Sequence, residues 1–353
     1  MTSSGSRPRF STEDDWYAPF DATPDFDLPM YVGGATFQKL PFVGEPQALR
    51  ERAADIAVVG APMDEGDTYR PGARFGPRAI RLAHSNTGSV YALHSGLEPL
   101  AVLDAVDAGD AAIEPTWIAH NHRAVYRKVR DVVNAGTVPL VLGGDHSISW
   151  PAITAVAEGH WPRRIGVIHF DAHTDTSDAS HPIASHGKPM RRLIESGAVA
   201  APNVAQIGLR GYWPGAEVLA WMDAQGFHRH PMTEIEDRGL DAVLADAIAE
   251  ATDGTGAVYL SVDSDVLEPA LAPGTGTPEP GGLLTRELLR AIRQIVGSVR
   301  LAGADVVEVS PPFDVADVTA TTAHRCVLEC ITGLAVRRAA GEPVRFDAGE
   351  PVG

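Results

Sequence analysis

Residues 165–175 read IGVIHFDAHTD. An apolar run, Ile165 to Ile168, ends in a string of imidazoles and carboxylates, and His169, Asp171, His173 and Asp175 share one parity. Alternate side chains of an extended strand fall on one face, so these groups are aimed at the same side. Like charges crowded this closely repel unless something positive sits among them. The stretch predicts a buried strand whose C-terminal end delivers ligating groups to a single point.

Similar apolar runs recur outward from it: DIAVVG (55–60), LAVLDA (100–105), VPLVLGG (138–144), VAQIGL (204–209), AVYLSVD (257–263) and LAGADVVEV (301–309). Helical stretches lie among them at 116–135, 147–157, 239–251, 285–297 and 319–338. Strands alternating with helices predict an α/β fold with a parallel sheet covered on both faces, and nearly continuous apolar strands suit that double burial. Ligands of such sheets bind beyond the C-terminal strand ends. The unusual residues fall there: GGDHS (143–147), DAHTD (171–175), DSD (263–265) and EVSP (308–311) each follow a strand.

The flanks differ. Residues 1–50, rich in Pro, Asp and aromatics, predict an extended arm with little regular structure. Residues 51–340 show no break that would separate two domains, and 341–353 predict a loose tail.

Composition narrows the function. The chain has 353 residues, 44% of them hydrophobic, and a formal net charge of −17, which argues against nucleic acid and anionic membrane and would steer a cation inward. No apolar run approaches the roughly 20 residues of a membrane span, and the N-terminus lacks the apolar core of a secretory signal, so a cytoplasmic location is expected. Cys326 and Cys330 stand four apart in an expected helix, without metal-ligand spacing, and predict two buried thiols.

Asp263 and Asp265 alone are a weak signal, since about half of such strand-end pairs are caps or turns. Joined to His146, Asp171, His173 and Asp175 they make four carboxylates and two imidazoles, with no Arg or Lys inside these motifs to balance them. Two divalent metals would satisfy that charge. The donor set is oxygen-rich with some nitrogen and no thiolate, which suits Mn²⁺, then Ni²⁺, Co²⁺ or Fe²⁺, better than structural zinc. Two neighbouring dications lower the pKa of a shared water, making hydroxide available near neutral pH.

With RPGARFGPRAIR (70–81), GGDHS, DAHTD, ASHGKP (184–189), SVDSDVLEPALAPGTGTPEPGG (261–282) and EVSPPFD (308–314) in this order, the sequence resembles the ureohydrolases, the arginase and agmatinase family, and its agmatinase-like branch. The resemblance spans about residues 55 to 335. It implies a three-layer α/β/α sandwich around a mostly parallel, eight-stranded sheet. It implies one metal on His146, Asp171, Asp175 and Asp263, and another on Asp171, His173, Asp263 and Asp265. His186 would be the proton-moving histidine and Glu308 the carboxylate that holds the guanidinium. The implied reaction hydrolyses a guanidino compound to urea and an amine. Agmatine is placed first; guanidinobutyrate, guanidinopropionate, free guanidine or a substituted guanidine are alternatives. Mn²⁺ is placed ahead of Ni²⁺, and a homo-oligomer, trimer or hexamer, is expected. Two competing readings are a one-zinc deacetylase-like amidohydrolase, against which the filled ligand set speaks, and a non-catalytic assembly or regulatory subunit.

Other residues take bland expectations. His169 lies inside its strand and is read as structural. The arginines of RPGARFGPRAIR, and Arg210 and Trp213 of GLRGYW (208–213), are read as packing or subunit contacts before substrate contacts. PGTGTPEPGG (273–282) is read as a rigid loop with no chemistry of its own. Four departures from the family pattern stand out: Ser264 in place of an aliphatic residue, Glu268 where Asp is common, the loop 176–187, which lacks the polar residues by which arginases read an amino acid, and the arm 1–50, longer than in compact members.

Overall fold

The structure is a computed structural model that describes residues 32–83, 90–177 and 184–346. Eight strands form one sheet: β1 (Ile56–Ala61), β2 (Ala105–Asp110), β3 (Val138–Gly143), β4 (Ile165–Phe170), β5 (Val204–Leu209), β6 (His228–Pro231), β7 (Ala257–Asp263) and β8 (Leu301–Val307). Their order is β2-β1-β3-β8-β7-β4-β5-β6, and every pairing in it is parallel. The expected eight-stranded α/β sheet is present and parallel throughout.

Strand parity builds the layers. Val58, Leu140, Ile168, Phe170, Leu260 and Val262 pack on one face, against the helices Leu240–Thr252, Thr285–Ser298 and Val318–Ala339. Val59, Val141, Val167 and Tyr259 pack on the other, against Ile118–Asn134, Ser149–His160 and Pro189–Ser196. Six of the seven central and flanking strands were legible as apolar runs because both of their faces are buried.

The seventh run, LAVLDA, is corrected. Pro99 starts a short helix, Pro99–Val102, and the strand begins only at Ala105. Strand β6 escaped notice because its sequence, HRHP, is polar; it is the sheet's edge and only half buried.

The flanks are more packed than expected. Residues 1–31 and 347–353 lie outside the described residues. Phe37 is fully buried, its N–H donates to Asp107, and a helix starts at Pro46, so the second half of the arm is part of the domain. At the other end Val344 is buried and the Phe346 ring lies under Arg300, which gives residues 341–346 apolar surface to bury rather than the freedom of a loose tail. Cys326 and Cys330 are free and buried in the last helix, as expected. No helix among the described residues is long and apolar enough to cross a membrane.

One consequence of the strand order positions everything that follows. The four motif-bearing strands, β3, β8, β7 and β4, are consecutive at the centre of the sheet. Residues up to 164 positions apart in sequence therefore end side by side: β3 aligns Leu142 with Val306 of β8, β4 aligns Phe170 with Val262 of β7, and β7 aligns Asp263 with Val307 of β8. Asp171 and Glu308 continue those strands by one residue.

Candidate metal centre and substrate cleft

Two of the site aspartates are first fixed by their own backbone. Asp171 Oδ1 accepts from the N–H of His173 at 2.6 Å, and Asp263 Oδ1 from that of Asp265 at 2.8 Å. This two-residue turn is local chemistry for Asp and aims the second oxygen away from the chain. Asp145, in GGDHS, does the same to Ser147 with one oxygen and holds the Gly66 N–H at 2.9 Å with the other. It thereby ties the loop 64–68 to the strand end. Gly144 must be glycine here, because a Cβ would stand 1.8 Å from the Met63 carbonyl oxygen.

The predicted metal ligands come together. His146 Nδ1 lies 3.1 Å from Asp171 Oδ2, 3.1 Å from Asp175 Oδ2 and 2.9 Å from Asp263 Oδ2. His173 Nδ1 lies 3.3 Å from Asp171 Oδ1 and 3.0 Å from Asp265 Oδ2. Asp171 thus presents one oxygen to each histidine and joins two clusters. One ring nitrogen cannot serve three carboxylates with a single proton. The buried oxygens Asp171 Oδ2 and Asp175 Oδ2 have no well-directed hydrogen-bond donor. Orphaned anionic oxygens around imidazole nitrogens are what dications would satisfy, so the residues present fit the group.

The titration of these groups carries the same message. Burial alone would depress the His146 imidazolium, but Asp175, Asp171 and Asp263 outweigh it and hold its pKa well above the ordinary value. His173 is likewise pushed up to about 12, against burial, by Asp265 and Asp171. Burial, with carboxylate neighbours, pushes Asp175 and Asp263 up, while three histidines hold Asp171 well below the usual carboxylate range despite its burial. Protons crowd the site where cations would replace them.

His169 belongs to the same knot and differs in role. Gln206 Nε2 donates to the Thr174 carbonyl at 2.8 Å, which fixes its amide, and also reaches His169 Nδ1 at 2.9 Å. The proton of His169 is left on Nε2, 3.0 Å from Asp171 Oδ2. A protonated nitrogen does not ligate a metal, so the structural expectation suits this geometry.

Next to the clusters stand His186 and Glu308. His186 Nδ1 lies 3.0 Å from Glu308 Oε1, and its Nε2 lies 2.7 Å from Thr68 Oγ1. Glu308 Oε1 also accepts from the His146 N–H at 2.7 Å, while Oε2 is buried without a partner. Glu308 adopts a left-handed φ of 63° and Asp175 one of 51°, strained conformations for these residues that the packing around them enforces. Glu308, Asp175 and Asp67 outweigh burial and push His186 up to about 10. A cleft of about 440 Å³ opens over these groups, lined among others by Thr68, His173, His186, Trp213 and Thr277.

Two contributors were not foreseen. Asp67, from DEGDTYRPG, packs beside Glu308 and His186; nothing in a loop holding three acidic residues marks which one turns inward. Thr277 Oγ1 donates to Asp265 Oδ2 at 3.1 Å, so the PGTGTPEPGG loop does offer a side chain to the site. Trp213, expected as a packing residue, instead lines the cleft and is exposed, whereas the arginines and the departures at 264 and 268 find structural explanations. Arg210 donates to the carbonyls of Gly208, Asp265, Val266, Leu267, Glu279 and Pro280, clamping the loop after β7. Arg81 pairs with Asp107 and Asp110, and Arg74 with Asp64. Glu268 holds the Gly281 and Gly282 N–H groups, and Ser264 is buried with its hydroxyl unpartnered in the protein. Part of loop 176–187, residues 178–183, lies outside the described residues.

Comparison with known proteins agrees with this geometry. The family model described as the arginase family matches residues 54–333. Guanidinopropionase from Pseudomonas aeruginosa is 38% identical over 320 residues, covering 90% of this chain and 96% of its own. Mitochondrial agmatinase from Gallus gallus is 39% identical over 303 residues, covering 85% of each chain. Among solved structures, proclavaminate amidinohydrolase from Streptomyces clavuligerus superposes with a TM-score of 0.80 at 36% identity, covering 88% of this chain and 99% of that one. The chain belongs to the arginase family, the ureohydrolase group that its motifs resemble.

Proposed function

We propose that this protein hydrolyses a C–N bond of a guanidino compound, releasing urea and an amine, with agmatine the first candidate. The observation that carries the reading is Asp171 spanning two histidine–carboxylate clusters directly beside the His186–Glu308 pair. In this reading His146, Asp171, Asp175 and Asp263 hold one divalent ion, and Asp171, His173, Asp263 and Asp265 the other. Such a pair, when bound, supplies Lewis acidity and a water acidic enough to attack near neutral pH. Mn²⁺ is the preferred occupant and Ni²⁺ the second, from the oxygen-rich, thiolate-free donor set. A homo-oligomer is expected.

The chain's own residues bind and move protons. Glu308 Oε2, buried and free, accepts N–H groups of the planar guanidinium. Its other oxygen is fixed by the His146 backbone and by His186, so the carboxylate is oriented before substrate arrives. His186, anchored at Nε2 by Thr68, passes a proton to the departing amine as the guanidino carbon gains the water's oxygen. Dications among the neighbouring carboxylates would draw the His186 pKa down toward the range such a transfer needs.

Guanidino acids are the second reading, favoured by the name and the full-length similarity of the Pseudomonas aeruginosa relative. The test is urea release by Mn²⁺- or Ni²⁺-loaded protein across agmatine, 4-guanidinobutyrate, 3-guanidinopropionate, guanidine and methylguanidine. Zero urea from the whole panel, with two metals bound per chain, would sink the proposal and leave a non-catalytic subunit.

A further inference from the structure

Asp67 is the residue near the cleft that no hydrogen bond explains. Its side chain is 1% exposed, and both carboxylate oxygens are buried without a partner. Its nearest polar neighbours belong to the site: Oδ1 lies 3.6 Å from His186 Nδ1, beyond hydrogen-bond reach, and ligand atoms of Asp67, His186 and Glu308 all fall within 4.8 Å of one another. Glu308 contributes a further unpartnered buried oxygen, Oε2. The wall facing this pair is bare backbone. Gly276 has no side chain, and a Cβ there would stand 3.1 Å from Glu308 Oε2 and 3.9 Å from Asp67 Oδ1. Asp67 is held in place from below, since Asp145 binds the N–H of the preceding Gly66 at 2.9 Å. Three orphaned carboxylate oxygens beside this closely approaching glycine call for N–H donors and positive charge, which a guanidinium would bring.

We propose that Asp67 is a second guanidinium-reading carboxylate, paired with Glu308, that selects cationic substrates over guanidino acids. This rests on the hydrolase reading above and sharpens its substrate class. Charge counting supplies the reason. Burial and the neighbouring Glu308 push the Asp67 carboxyl up to about 9, so it ionises fully only with a cation beside it; Glu308 and an ionised Asp67 bring two negative charges, and a proton on His186 offsets one. A guanidinium offsets the other, so guanidine, a small alkylguanidine or agmatine leaves no excess anion at the head. A guanidino acid is a zwitterion, and its carboxylate restores an unbalanced negative charge near a poorly solvated cavity. Donor counting agrees: a guanidinium has N–H groups on both edges, enough for one carboxylate on each.

The test compares wild type with Asp67→Asn and Asp67→Ser, all loaded with Mn²⁺, and checks metal content and melting temperature in each. Where urea is released, kcat/KM is measured for agmatine, methylguanidine and 4-guanidinobutyrate; calorimetric titration of the loaded proteins with guanidinium chloride at millimolar concentration runs in parallel. Wild type is expected to prefer the cations. In Asp67→Asn the agmatine-to-guanidinobutyrate ratio should fall roughly tenfold or more, mainly through a higher KM for agmatine, and guanidinium binding should weaken. A wild-type preference for the guanidino acid overturns the inference, even if neither variant folds. So does an unchanged ratio in folded, metal-replete variants. Absence of urea from every compound would instead remove the hydrolase reading; guanidinium affinity then decides, because equal binding by wild type and Asp67→Asn refutes the clamp without reference to turnover.

Discussion

Ser261 Oγ lies 3.0 Å from His146 Nε2 and donates its own proton to Asp305 Oδ1 at 2.6 Å. Having given that proton away, the hydroxyl can only accept from His146, which keeps a proton on Nε2 and makes Nδ1, among the carboxylates, the nitrogen that would lose its proton to a metal. Asp305 is itself held by Ser149 and Tyr259. Ser261→Ala should therefore lower metal affinity by roughly 10- to 100-fold without removing a ligand. Chelator competition measures it; wild-type affinity in the variant would show that Ser261 does not set the tautomer.

Asp171 and Asp175 differ in how many clusters they touch. Asp171 faces both His146 and His173, whereas Asp175 faces His146 alone. Asp171→Ala should lose both ions, and Asp175→Ala should retain part of the occupancy on the His173 side. Elemental analysis after gel filtration gives the stoichiometry. Two ions per chain in purified Asp171→Ala would contradict a shared ligand.

Glu308→Gln keeps the size of the side chain and its contacts to the His146 N–H, but removes the charge that a guanidinium would meet. Metal content should stay at the wild-type level while kcat/KM falls by about 10²-fold or more, since a buried charged partner is worth roughly 2–5 kcal/mol. Unchanged kinetics would clear Glu308 of that role.

The site was more legible than the sheet's margins, and for a physical reason. Asp171, His173 and Asp175, like Asp263 and Asp265, announce themselves by a spacing of two after an apolar run, and double burial makes those runs conspicuous. Strand β2 carries AVDAGD instead, because Asp107 turns inward to meet Arg81, and a charged strand does not look like one. The edge strand HRHP is equally mute, since one side of it faces no neighbour. Asp67 is mute for a different reason. Its direction is set by Asp145 gripping Gly66 across 79 residues, a contact no local pattern encodes.

His230 gives the fold a pH dependence away from the cleft. It is buried between Glu234, 3.0 Å from Nδ1, and Glu250, 2.9 Å from Nε2; Glu250 is also 3.1 Å from His228. Burial lowers its pKa, but Glu250 and then Glu234 outweigh burial and raise it above the usual value. A raised folded-state pKa means the charged form stabilises the native state. That contribution is complete below the unfolded value of about 6.5 and disappears as pH climbs through the folded value. His230→Gln should thus lower the melting temperature more at pH 5.5 than at pH 9. A deficit that is the same at both pH values would assign the loss to packing rather than charge.

Arg81 offers the sharpest stability test, because the same chain contains its own control. Arg81 is 4% exposed; its Nε and Nη2 bond Asp107 and its Nη1 bonds Asp110. Asp107 also accepts the Phe37 and Gly109 N–H groups, so it stays buried and charged when its cation is removed. Arg81→Met should cost about 3–5 kcal/mol, the penalty of an uncompensated buried charge rather than of a lost contact. Arg52 makes a comparable two-point pairing with Asp104, but its side chain is 40% exposed, and Arg52→Met should cost under about 1 kcal/mol because water takes over the carboxylate. Both are read from urea denaturation at one metal concentration, so that ligand linkage is the same in each. Adding Asp107→Asn to Arg81→Met should restore part of the stability, since the anion left behind is the main cost; a double variant less stable than the single one would mean that Asp107 acts chiefly as an acceptor for the Phe37 and Gly109 amides.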